Sequence, residues 1–167
     1  GEIRDAAALD MLQAMNTGHE GSLTTIHANS PRDALSRLET MILMSGFNIP
    51  LTAMREQIAS ALDVIVHLTR LVDGTRRVSK ITEVVGMESD VITLQDVFVA
   101  RPVDERMVAS EATTYLRPLE CTGLQPQFRH KLVANGVVLP PSFFDVDQDG
   151  QAPRSAFSAA SFEGAFE

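Results

Sequence analysis

Apolar positions recur at helical spacing over the first third of the chain. Ala8, Leu12 and Met15 fall on one face, which predicts a helix over Asp5–Asn16 with Asp5 as its cap and Thr17-Gly18 as its end. Ser22 to His27 is short and β-branched, the pattern of a buried strand. Ser30-Pro31-Arg32-Asp33 then opens a second helix. Ser30 stands at the cap, Pro31 at the first helical position, and Asp33 in a capping-box arrangement. Leu35, Leu38, Met41 and Ile42 keep the helical period, and Gly46 ends it. A third helix follows, with Thr52 as cap and Met54, Ile58, Ala61 and Leu62 turned inward.

At Asp63 the period changes. Val64 to Leu68 reads as a strand, Asp73-Gly74 as a hairpin turn, Arg76 to Val85 as the returning strand, and Val91 to Val99 as another. Helix, strand, helix, helix and then a strand cluster fits an α/β domain, with a largely parallel sheet and trailing antiparallel strands. Beyond Pro102 the pattern weakens to one short amphipathic helix within Pro126–Leu139, carrying Phe128, Leu132 and Val133 and followed by Gly136. From Gln148 the chain is rich in Ala, Ser and Gly, with isolated Phe157, Phe162 and Phe166, and reads as a disordered tail.

Composition adds little beyond limits. The 167 residues suffice for one domain with a sizeable core and leave room for an appendage. With 14 Lys+Arg against 22 Asp+Glu, the net charge of −8 lacks the clustered basic face of a general nucleic-acid binder. The single cysteine, Cys121, excludes an intrachain disulfide and agrees with a reducing compartment. No apolar run approaches the roughly 18–20 residues of a membrane helix. No signal peptide is evident in a chain that begins with Gly1 rather than Met. The expectation is a cytosolic, soluble piece of something larger.

Three features carry candidate chemistry. Gly1-Glu2-Ile3-Arg4-Asp5 precedes a helix, and a carboxylate at the carboxyl end of a strand in an α/β sheet sits where ligands bind. There Glu2 could orient or deprotonate a water for attack on a phosphoryl group. By spacing alone, a solvated terminal residue is the favoured reading. The second feature is His19 and His27, which bracket a small-residue loop and strand. Imidazole at a strand end can hydrogen-bond a phosphate oxygen, and the competing reading is a core-edge histidine bonded to backbone. Eight residues apart, without a cysteine or third histidine nearby, the two make no zinc site. The third feature, Asp145-Val146-Asp147-Gln148-Asp149-Gly150, is similar to the start of a calcium loop. The bidentate position of such a loop falls on Ala156 and Pro153 interrupts it, so an acidic turn is favoured. His67 and His130 read as structural or exposed. Arg32, Arg37, Arg70, Arg76 and Arg77 could serve an interface, although such arginines are usually solvated.

Joined in order, Gly1-Glu2-Ile3-Arg4, Ala8 to His19, and Gly21 to Asn29 resemble the secretion-superfamily ATPases of type II secretion, type IV secretion and type IV pili. The run from Ser30 to Glu39 narrows the resemblance to the CpaF type, which powers tight-adherence (Flp) pili. The likeness extends from Gly1 to about Leu139, including Thr122-Gly123-Leu124-Gln125-Pro126. It implies that Glu2 is the Walker B glutamate that polarises the attacking water. Thr25 to Ala28 would be the His box, with His27 near the γ-phosphate and Thr25 near the nucleotide. His19 matches the histidine before that box, and Arg4 an arginine after the glutamate. The same resemblance implies a RecA-like P-loop ATPase domain using ATP and Mg2+. It further implies a homo-hexameric ring that is cytoplasmic and peripheral at the inner membrane, where it works with pilus or secretion platform proteins. Residues 1–100 would form the carboxy-terminal part of the ATPase domain, 101–147 an extension with a short helix, and 148–167 the tail.

One element of the pattern is missing. No Gly-x-x-x-x-Gly-Lys-Ser/Thr occurs in the 167 residues, so the cradle for the phosphates is not among them. The expectation is a carboxy-terminal fragment that alone neither binds ATP tightly nor hydrolyses it. Ile26, Leu38 and Val66 are expected to face a gap in an incomplete sheet and make the chain sticky. The alternative is a non-enzymatic assembly piece or split-gene partner of such a ring.

Overall fold

The computed structural model describes residues 1–5, 7–18, 21–71, 73–101, 116 and 118–146. His19, Asp147, Asp149, Phe157 and the whole 148–167 segment lie outside the described residues. The chain divides into two compact units, residues 1–65 with 84–94, and residues 66–83 with 95–167.

The first unit is helical at its centre. Helix α1 spans Ala7–Asn16, α2 Pro31–Met44 and α3 Leu51–Ala61, and α1 packs on both of the others. The start of α2 follows the sequence reading: Ser30 Oγ accepts the Asp33 N–H at 3.1 Å, with Pro31 at the first helical position. Helix α3 departs from it. Pro50, at φ −55° and ψ 139°, turns the chain into the helix two residues early, so Pro50 and not Thr52 is the cap. The Thr52 hydroxyl instead donates to Asp90 Oδ1 at 3.1 Å. Ala8, Leu9, Leu12, Leu35, Leu38, Ile42, Met54 and Ile58 form the core with Ile3, Val84 and Ile92. Met15, expected on that face, is only half-buried.

The expected strand over Ser22–His27 is reduced to a single parallel bridge between Glu2 and Thr25. Ile3 N–H donates to the Thr25 carbonyl at 2.9 Å and Thr25 N–H to the Gly1 carbonyl at 3.2 Å. This bridge is the parallel component among the described residues, so the largely parallel sheet is corrected to a mainly antiparallel one. Leu38 is also corrected: it lies buried in the helical core, and Ile26 is partly buried against the same cluster.

The sheet orders its strands β1 (Val64–Arg70), β2 (Arg76–Glu88), β3 (Val91–Val99) and β4 (Glu120–Cys121). Short connections make successive long strands antiparallel, and β3 pairs β4 antiparallel with Phe98 opposite Cys121. In the second unit the Asp73-Gly74 turn closes as the sequence predicts. Leu71 N–H donates to the Thr75 carbonyl at 2.8 Å, Asp73 Oδ1 accepts the Thr75 N–H, and Gly74 takes φ +85°. Val66 and Leu68 stay exposed on edge strand β1. A second core gathers Val97, Phe98, Cys121 and Phe144, with Phe143 edge-on to Phe98 at 5.8 Å. Helix α4 (Arg129–Ala134) is shorter than the predicted segment. Its Val133 is exposed and its Leu132 half-buried.

Candidate functional site

The register of the Glu2–Thr25 bridge decides what faces the solvent. Along an extended chain alternate side chains share a face. Ile3 and Ile26 therefore turn to the core, while Glu2, Arg4, Thr25 and His27 share the opposite face. Thr24 Oγ1 adds a bond to the Gly1 carbonyl at 2.9 Å, which ties the two segments together. After Arg4 the chain turns sharply, with Asp5 at φ +49° and its carbonyl accepting the Ala8 N–H at 3.2 Å.

On that face Glu2 is held from both sides. Arg4 Nη2 donates to Oε2 at 2.7 Å, and His27 Nε2 stands 3.3 Å from Oε1. The Glu2 side chain is 26% exposed, against 74% for Arg4 and 80% for His27. The hydrogen bond from Arg4 is the main reason the Glu2 carboxyl lies below its usual range. Partial desolvation opposes it, and the charges of Arg4, His27 and Arg37 add to the lowering. The Arg4 guanidinium is in turn raised by its hydrogen bond to Glu2.

This face opens on a cleft of about 680 Å³, lined by Glu2, Arg4, Asp5, His27, and by Ser36, Arg37, Thr40, Met41 and Met44 of α2. The sequence reading brings Glu2, Arg4 and His27 together, and the structure places all three within one cluster. Thr25 is exposed beside Glu2 in the bridge, and His19 lies outside the described residues. The sequence marks Arg37 only as a possible interface residue, and the structure sets it on the wall of this cleft. Its signal was available: Arg37, Thr40, Met41 and Met44 recur at helical spacing on one face of α2.

A carboxylate beside an arginine and an imidazole, with hydroxyls in the same open cleft, suits a water or oxyanion. It does not by itself hold a nucleotide. The 167 residues contain no phosphate loop, and no group of three or more His, Cys, Asp or Glu among the described residues could hold a metal ion. The residues fit one end of a phosphate chain and fit neither the body of ATP nor Mg2+.

The geometry defines a polar cleft with a carboxylate, two arginines and two hydroxyls on its wall. The chain belongs to the type II/IV secretion system protein family, whose model matches residues 1–129. It is 41% identical over 90 residues to the conjugal transfer protein TrbB of Rhizobium radiobacter, covering 54% of this chain and 26% of that protein. A putative conjugal transfer protein of Mycobacterium tuberculosis is 40% identical over 81 residues, 48% of this chain and 22% of its own length. The type IV secretion system protein VirB11 of Brucella suis is 35% identical over 79 residues, 46% of this chain and 22% of its own. The chain thus spans about a quarter of the curated relatives it matches. No helix among the described residues is long and apolar enough to cross a membrane.

Proposed function

We propose that this chain is the carboxy-terminal part of a secretion ATPase of the CpaF type, in which Glu2 orients the water that attacks the terminal phosphate. The observation that carries the reading is the ionised Glu2 carboxylate, gripped by Arg4 and His27 and turned to an open cleft. Family membership supports it, and the Ser30–Glu39 run supports the tight-adherence pilus assignment.

Phosphoryl transfer needs positioning and charge stabilisation more than covalent help. A carboxylate held below its usual range is a weak base, so Glu2 acts chiefly as a hydrogen-bond acceptor that aims the water. His27 stands 3.3 Å from Glu2 and reaches the cleft with its exposed ring, and Arg4, Arg37 and Thr25 supply positive charge and a hydroxyl beside it. ATP and Mg2+ belong to the assembled enzyme, a homo-hexamer at the cytoplasmic face of the inner membrane that works with platform proteins. The phosphate cradle and metal donors come from the part of the enzyme beyond these 167 residues.

The test is ATP hydrolysis by the chain alone and mixed with a separately expressed amino-terminal half of a related ATPase. Turnover in the mixture and none alone is expected. Turnover by the chain alone overturns the placement of the nucleotide, and silence in both favours a non-enzymatic assembly piece.

A further inference from the structure

Both oxygens of Glu2 are covered in this structure, Oε2 by Arg4 and Oε1 by His27. The Arg4 donor at 2.7 Å competes with a water for Oε2. The cover is nevertheless a loose one. Arg4 and Glu2 are two residues apart on one face, Glu2 is the one hydrogen-bond partner of the Arg4 guanidinium among the described residues, and that side chain is 74% exposed. Exposed ion pairs of this kind are weakly held and readily exchanged. The guanidinium fork matches the oxygens of a phosphate at least as well as those of a carboxylate. Arg4 also lines the same cleft as Arg37, so an oxyanion entering it meets two cations.

We propose that Arg4 is a latch on Glu2: a phosphate group entering the cleft draws the Arg4 guanidinium off Oε2 and uncovers the carboxylate for water. The carboxylate is thereby inert until its substrate's terminal phosphate is present. Water near an empty site is then not activated, and ligand binding and water positioning become one event. Arg4 is a positioning residue, since it acts through Glu2. The inference rests on the proposed function for its purpose, but its structural content concerns this chain alone.

The test is a carbon-13 NMR titration of the Glu2 side-chain carboxyl in the full 167-residue chain, with inorganic phosphate as the probe and chloride at matched ionic strength as the control. In the wild type, phosphate is expected to move the Glu2 midpoint up toward the ordinary carboxylate range while chloride leaves it. In Arg4→Gln the midpoint is expected to start there and to ignore phosphate, and Arg4→Lys should restore the lowering but respond less to phosphate. A Glu2 midpoint unchanged by phosphate, or unchanged by Arg4→Gln, overturns the latch. An ATPase reconstituted with the amino-terminal half separates the two claims. If Glu2→Gln abolishes turnover while Arg4→Gln leaves kcat and KM untouched, the latch fails and the proposed function stands.

Discussion

The two cores are built by different means. In the first unit, Leu12, Leu35, Leu38, Ile42, Met54 and Ile58 come from three helices whose apolar period is visible in the sequence. In the second, Phe98, Cys121 and Phe144 come from a strand, a two-residue strand and a 3-10 turn (Pro141–Phe144). The first core is assembled from repeating local patterns. The second depends on residues that meet only in three dimensions, such as Cys121 Sγ donating to the Phe144 carbonyl at 3.0 Å.

The largest expected effect lies in the second core. Phe144, 2% exposed, should cost about 3–5 kcal/mol on replacement by alanine, read as lost hydrogen-exchange protection at Phe98 and Cys121. In the first core Ile42→Ala should cost about 2–5 kcal/mol by chemical denaturation. Equal tolerance of both changes would erase the distinction between a repeat-built core and one pinned by single aromatics.

That distinction also accounts for what the sequence disclosed. The α2 start was legible because Ser30, Pro31 and Asp33 act through local backbone bonds. The second core was not, because Phe98 and Phe144 lie 46 positions apart by number and no spacing rule connects them. The candidate site lies between these cases. Glu2, Arg4 and His27 were readable as motif residues, but the register that puts them on one face depends on the Glu2–Thr25 pairing. Arg37 reads from sequence only as a possible interface residue, because an arginine on a helix looks solvated until the neighbouring strand is in place. The Glu39–Arg55 pair was equally silent, its two charged groups being 16 residues apart.

That pair gives the next effect in size. Arg55 bonds both Glu39 oxygens, at 2.8 and 3.2 Å, and the Asp90 carbonyl at 2.8 Å, with Glu39 only 17% exposed. Arg55→Ala should lower the chemical-denaturation midpoint by leaving Glu39 without its main donor, and Arg55→Lys should recover only part of the loss.

The smallest effect is a pH dependence in the second unit. Burial pushes the Asp96 carboxyl up, but hydrogen bonds from Lys80 at 2.7 Å and Thr82, with the Lys80 charge, hold it below 3.8 overall. A lowered folded-state pKa means stability that is present above the ordinary aspartate value and lost as pH falls through the folded one. The pair is partly exposed, so the effect should stay within about 1 kcal/mol. Asp96→Asn should flatten the stability profile below pH 3.8 relative to the wild type, measured by thermal melts across that range.

The central claim is that Glu2 serves the chemistry and not the binding of nucleotide. The most direct measurement compares wild type and Glu2→Gln in the ATPase reconstituted with the amino-terminal half, with kcat and ATP affinity determined separately. A loss of roughly 10²–10⁴ in kcat at unchanged ATP affinity is expected for a residue that aims or activates the water. Unchanged kcat, or a loss confined to ATP affinity, would contradict it.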